Sequence, residues 1–395
     1  MDDIDEFYTT KPREQVGRDT FARYKAQVRA AGLAALEILE GGEVDRIYCD
    51  YHDDFVVRKK HNGTYRYEFF QVKTRAKASQ NWKLNEIFGL KTQKKHQLDQ
   101  KTDDVKNSYA GKLLQHTVTF SSSCDQVVFM TNAHLDDIVE KMSESMAECD
   151  TKNQYVKFLA DNFNECFIVS SDAKLAESEI LKRIAKFRFE VDVQCIKEKN
   201  NSFESDARTR IYQFSEIDLE FNETRQILVS LLELVSKKTS GVVTSFNETV
   251  IDSQTSIDIN DLLDLLSISR EAYRSLVAGG DAHAIKSASV IQRTMSASGA
   301  SSEEIEYSSR CKTDWDVWLR DNRNKLSDFD LLSITSKIDA LLATMLGNRK
   351  SLKLGELHPM LKQLMAELIE SDLAFDITPP LLLGGFISAL VRYKA

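Results

Sequence analysis

Two apolar stretches carry polar residues that an ordinary buried strand does not need. The first is Asp53-Asp54-Phe55-Val56-Val57 and the second is Phe69-Phe70-Gln71-Val72-Lys73, with His61-Asn62-Gly63 supplying turn chemistry between them. Side chains alternate along a strand, so Gln71 and Lys73 share one face while Phe70 and Val72 point into a core. A carboxylate from the neighbouring strand, Asp54 first and Asp53 its rival, completes a cluster of one anion, one amide oxygen and one ammonium. Hard oxygen ligands of this kind suit Mg²⁺ or Mn²⁺, which keep several waters and bind a substrate phosphate directly. Such a cation polarises a scissile phosphate and lowers the pKa of a bound water, while Lys73 orients that water or stabilises developing negative charge. The plainer alternative is an edge hairpin with solvated charges.

Positioning such a cluster needs a sheet with helices around it. From Arg18 to Leu39 the apolar residues Phe21, Tyr24, Val28, Ala31, Ala35 and Ile38 recur at helical spacing, and Gly41-Gly42 stops the run. Strands are expected at 44–49, 55–58 and 65–72, helices at 84–98 and 103–114, and a buried strand at 127–130. The order is helix, three strands, helix, strand. Further on, helices are expected at 136–148 and 155–162, strands at 166–170 and 187–196, and a helix at 223–238. The Ser-, Thr- and Gly-rich stretch 241–260 reads as a linker, and almost everything after it reads as helical. Residues 296–309, small and polar, are expected to form a mobile loop inside that half. The expected organisation is an α/β domain over 1–240, with a mixed sheet flanked by helices, then an all-α domain over 261–395.

Composition narrows the field. The 395 residues carry 61 acidic and 52 basic side chains, a formal charge of -9, so no global field draws the chain to a polyanion. Locally the balance reverses: between Arg58 and Lys112 there are 14 Lys plus Arg against five Asp plus Glu, a net +9. Arg75, Lys77, Lys83, Lys91, Lys94 and Lys95 follow the second strand of the cluster and are candidates to hold backbone phosphates, which favours sequence-tolerant, salt-sensitive binding. An ordinary solvated helix face is the competing explanation, and Trp82 reads better as a helix cap than as a base-stacking platform. His52 and His96 lie near the cluster as weaker phosphate candidates. The six cysteines are scattered without a CxxC pair, which argues for reduced thiols. No signal-peptide pattern and no apolar run of membrane-spanning length appears, so a cytoplasmic protein without a membrane partner is expected. No P-loop and no Gly-Xaa-Ser-Xaa-Gly elbow is present.

The cluster and the element order together resemble the PD-(D/E)XK nuclease superfamily. The resemblance tightens with Gly17-Arg18-Asp19-Thr20-Phe21-Ala22-Arg23-Tyr24, Gln71-Val72-Lys73, Gly111-Lys112-Leu113-Leu114 and Val128-Phe129-Met130-Thr131-Asn132. These runs are similar to the double-stranded DNA endonuclease domain of bacterial antiphage effectors, found in CBASS effectors, in Lamassu systems with an SMC-type ATPase, and beside HerA-type ATPases. The resemblance covers roughly residues 1–238 and is nearest to the Lamassu nuclease subunit. It implies Asp54 as the metal-binding acid, Gln71 as the third-strand ligand and Lys73 as the catalytic lysine. Gln71 stands where Glu is usual, which leaves the metal with less charge. Gln27, on the first helix, is a further metal-ligand candidate by the same resemblance.

The expected activity is therefore Mg²⁺- or Mn²⁺-dependent cleavage of double-stranded DNA with little sequence preference, held in check or activated by an SMC-type or HerA-type ATPase. The absence of strand alternation after residue 260 favours oligomerisation or partner binding there over nucleotide sensing, with a homo-oligomer as the active state. Two alternatives stay open: a catalytically weak DNA-binding or scaffold subunit, and a restriction-like enzyme with its own target sequence.

Overall fold

The computed structural model describes residues 16–77, 79–92, 100–168, 173–197, 202–215, 221–323, 325–347 and 352–394. The chain divides into two compact units, Met1–Ala207 with Leu228–Asp258, and Arg208–Ile227 with Ile259–Ala395. The fold class is the expected one, a mixed α/β unit followed by a helical region.

The first unit begins with α1 (Val16–Leu36), then β1 (Val44–Tyr51), β2 (Asp53–His61) and β3 (Thr64–Lys73). Next come α2 (Leu84–Phe88), α3 (Thr102–Lys106), α4 (Tyr109–Thr119), β4 (Cys124–Thr131), α5 (Asp137–Ala147), α6 (Gln154–Phe167), α7 (Glu177–Ile184) and β5 (Phe187–Glu190). Helices α8 (Ser202–Ser215) and α9 (Phe221–Thr239), each divided between the two units, and α10 (Glu248–Thr255), of the first unit, lead to β6 (Ser256–Ile257). The six strands form one sheet in the order β5-β4-β3-β2-β1-β6. β1, β2 and β3 are antiparallel neighbours, β6 is antiparallel to β1, and β3-β4-β5 run parallel.

Alternation along the strands separates two buried faces. Val56, Phe69, Val127 and Phe129 join the helical side chains Ile87, Phe88, Leu113 and Phe163 in one large cluster. Phe55, Val57 and Phe70 point the other way and are buried on the side where α1 lies against β1, β2 and β3. Phe55 and Phe70 face each other in register and stack at 4.5 Å between ring centroids.

The second unit adds α11 (Ile259–Leu265), α12 (Arg270–Ala278), α13 (Ala284–Ala297), α14 (Ser302–Asn322), α15 (Asp328–Leu346), α16 (Leu354–Glu370) and α17 (Pro379–Lys394). Its core pair is α14 with α17: a Cβ at Gly384 would sit 1.9 Å from the Cys311 carbonyl oxygen, so glycine is what lets the two backbones close. Lys312, buried, is held at 2.7 Å by both Asp281 and Asp316.

Several expected elements are corrected. α2 ends at Phe88, because Gly89 takes a left-handed C-cap conformation, and residues 93–98 of the expected helix lie outside the described residues. The expected 103–114 helix is two helices, divided by Ser108, whose hydroxyl caps α4 by accepting from the Gly111 N–H at 3.0 Å. Cys166 and Phe167 are not a strand start; they end α6, continuing the apolar stripe of Val156, Leu159 and Phe163. β5 stops at Glu190, since Asp192 turns with φ 54° and Val193 donates back to Thr131. The expected linker carries two elements: α10, capped by the Asn247 side chain accepting from the Val250 N–H at 3.0 Å, and β6, which pairs with Ile47 and Tyr48.

Residues 302–309, expected as loop, are the first two turns of α14, because Ser301 and Glu304 form a reciprocal capping box. All six cysteines are free, and burial pushes the Cys124 and Cys166 thiols up to about 11. Among the described residues no helix is long and apolar enough to cross a membrane.

Candidate active site

Asp54 enters β2 one residue before the Phe55–Phe70 pair, which sets it opposite Gln71 on the neighbouring strand. Its Oδ2 accepts the Val72 N–H at 2.6 Å and the Lys73 ammonium at 3.1 Å. The carboxylate thus replaces a ladder partner where the β2-β3 pairing runs out, and it fixes the lysine beside itself. Lys73 Nζ also donates to the Val72 carbonyl at 3.2 Å and lies 5.4 Å from the centre of the Tyr109 ring on α4. Burial pushes the Asp54 carboxyl above its ordinary value, with the Lys73 charge and the Val72 N–H pulling it back and Asp53 adding to the rise. The net direction is upward, so the ionised form is under-compensated by the protein alone.

Gln71 does not emerge from the sheet. It is buried, and among the described residues its Oε1 has no hydrogen-bond partner. A buried amide oxygen without a donor is costly, and a bound cation is one group that would satisfy it. Beside the Asp54 carboxylate it offers the hard-oxygen donors that Mg²⁺ or Mn²⁺ takes, so the residues present fit such an ion. The donor set is lean in charge: among the described residues no group of three His, Cys, Asp or Glu side chains comes together as a metal site. Gln27 is half-buried on α1, the helix lying against β2 and β3, and among the described residues no hydrogen bond joins it to Asp54, Gln71 or Lys73.

Asp53, the rival acid, has its own partners. Oδ1 accepts the Asp54 N–H at 2.9 Å, and Oδ2 lies 3.0 Å from His116 Nε2 on α4, whose ring stacks on Phe69 at 4.4 Å. His116 therefore anchors the start of β2 to α4. Nothing local in the sequence marks this contact, which joins positions 63 residues apart.

The basic candidates divide. The Arg75 guanidinium lies 2.5 Å from Glu86 and 3.9 Å above the Trp82 ring, and the Asn132 side chain bonds both its N–H and its carbonyl. Arg75 thus locks the exit of β3 inside the fold, away from the role of a free phosphate contact. Trp82 is buried, donating from Nε1 to Thr131 Oγ1 at 2.8 Å, in agreement with a structural role. Lys77 and Lys83 are exposed, and Lys91 is half-buried, its backbone bonded by Gln100. Lys94, Lys95 and His96 lie outside the described residues.

The family profile described as "Cap4, dsDNA endonuclease domain" matches residues 15–239. The chain belongs to this family. The matched span holds Asp54, Gln71, Lys73 and the whole basic stretch. A solved structure of an Acinetobacter baumannii Cap4 receptor containing a SAVED/CARF domain, with the cyclic trinucleotide 3'3'3'-cAAA, is similar at 9% identity and a TM-score of 0.35. The likeness covers 61% of this chain and 43% of that one, so less than half of that receptor is spanned. No curated protein matches the chain.

Proposed function

We propose that this protein is a divalent-metal-dependent endonuclease effector of antiphage defence, cutting double-stranded DNA with little sequence preference. The observation that carries the metal is the orphaned Gln71 Oε1 beside the buried, under-compensated Asp54 carboxylate. Membership in the Cap4 dsDNA endonuclease domain family supports the substrate. Asp54 and Gln71 would hold Mg²⁺ or Mn²⁺, with Gln27 a further candidate; when bound, the ion supplies Lewis-acid polarisation of the phosphodiester. Lys73, held by Asp54, places a positive charge where negative charge grows on the phosphoryl oxygens. His116 keeps Asp53 and the entry of β2 in place. Lys77, Lys83, Lys91, Lys94 and Lys95 would neutralise backbone phosphates.

A non-specific nuclease needs restraint, and we assign it to an ATPase partner, SMC-type as in Lamassu or HerA-type, acting in the cytoplasm. The helical unit suits partner binding and homo-oligomerisation: Phe329 and Leu332 on α15 are 82% and 63% exposed. A second reading, a catalytically weak DNA-binding or scaffold subunit, is favoured by the low charge of the donor set.

Plasmid cleavage with Mg²⁺ by wild type and Lys73→Ala separates the two. A nuclease shows Lys73-dependent cutting, and a scaffold shows none.

A further inference from the structure

A second site lies on the same face of the sheet, in the first unit. Phe69 stacks on Phe120 with centroids 4.9 Å apart, Phe120 meets His52 at 4.9 Å, and His52 meets Tyr51 at 4.2 Å. Tyr51 approaches Tyr48 at 6.4 Å, and Tyr48 approaches Tyr67 at 6.5 Å. Tyr67 and Phe69 are two residues apart on β3, so the six rings close into a collar. The collar lines a cavity of about 410 Å³, within the range of small-ligand sites.

We infer that this cavity holds one unstacked nucleobase of the DNA being cut. Deepening the proposed function, the inference rests on that reading for its DNA source. The cavity is close to the candidate catalytic cluster: Val56 and Phe69 line it, and Asp54 and Gln71 lie one two-residue step along the same strands, about 6.6 Å away. Its charged lining residues are Arg58, Glu248 and Asp252, one cation against two carboxylates, with Asp252 bonded by Arg46 at 2.6 Å and by the Tyr48 hydroxyl at 2.9 Å. The lining's arginine, Arg58, is held by Asp45 through two 2.9 Å bonds and by Tyr48 at 3.2 Å, so a phosphate is not what the cavity suits. A flat, neutral heterocycle is. The backbone is also specialised here: Asp50 and His52 have φ of 49° and 70°, uncommon for side-chain-bearing residues, and this turn presents Tyr51 and His52 to the cavity while starting the strand that carries Asp54. Aromatic platforms take any base, which agrees with sequence-tolerant cutting.

The test is photocrosslinking of the full chain, without divalent cation, to a duplex substituted with 5-iododeoxyuridine, followed by peptide mapping. A parallel arm uses free 5-iodo-dUMP. Crosslinks on Tyr51, Tyr67 or Phe120 from the duplex are expected. Tyr51→Leu and Phe120→Leu should lower that yield about tenfold with unchanged thermal melting, and Tyr51→Phe should restore it. Crosslinks confined to residues outside the collar, or Leu variants that crosslink as wild type, overturn the inference. Collar labelling by the free mononucleotide but not by the duplex reassigns the cavity to a free nucleotide and overturns the DNA source. A wild type that crosslinks at the collar yet never cuts plasmid removes the nuclease reading and leaves the base site standing.

Discussion

At the scale of single residues, the ammonium of Lys73 and the carboxylate of Asp54 are held together before any substrate arrives, so each has a separable consequence. Lys73→Ala should lower the cleavage rate by about 10²–10³, the range for losing one charge-stabilising donor, as read by plasmid nicking in Mg²⁺. Asp54→Asn should abolish cutting yet melt no lower than wild type at neutral pH without metal. The sign follows from the raised Asp54 value: ionising the buried acid becomes a cost as pH rises from 3.8 through the folded value, and the neutral amide escapes it. Melting curves across that range should converge at the acid end. The pairing of Asp54 with Lys73 was legible in the sequence, because strand alternation and one hairpin turn are enough to bring them together. The burial of Gln71 was not, since α4 packs on a face that β3 alone presents as open. His116 was invisible for the same reason: only the folded sheet brings it to Asp53. The contacts of Arg75 with Trp82 and Glu86 were not legible either, because those partners sit in a loop and a short helix whose geometry no pattern reveals.

At the scale of elements, caps decide where helices begin and end. Ser301→Ala should cost about 1 kcal/mol in chemical denaturation, through loss of the bond to the Glu304 N–H. That capping box turned an expected loop into helix, and Gly89 turned an expected long helix into a short one, whereas the types of most helices and strands followed from periodicity. The edge strand β6 escaped notice because two residues carry no alternation, and its partner β1 is some 200 positions away.

At the scale of the whole molecule, composition and the local reversal of charge pointed to an acidic chain with one basic stretch, and the division into an α/β unit and a helical unit followed from the change of periodicity. What the sequence hid is that 208–227, expected in the first domain, belongs to the second unit, and that 241–258, expected as linker, belongs to the first. In the second unit, burial would raise the Asp281 carboxyl, but the Lys312 ammonium together with the Ser287 side chain and the His283 N–H outweighs it and leaves it below its ordinary 3.8. Its stabilisation is present above that value and is lost as pH falls through the lower folded value. Lys312→Met strands two carboxylates and should destabilise this unit by about 3 kcal/mol, read by thermal melting at neutral pH.

The most direct test of the central claim is a Mg²⁺ titration of plasmid cleavage by wild type, Gln71→Glu and Gln71→Leu. A cation held by Asp54 and Gln71 predicts that Gln71→Glu reaches half-maximal cutting at lower Mg²⁺ and that Gln71→Leu needs far more or fails. Three superimposable titrations, or cutting that persists in excess chelator, would contradict it.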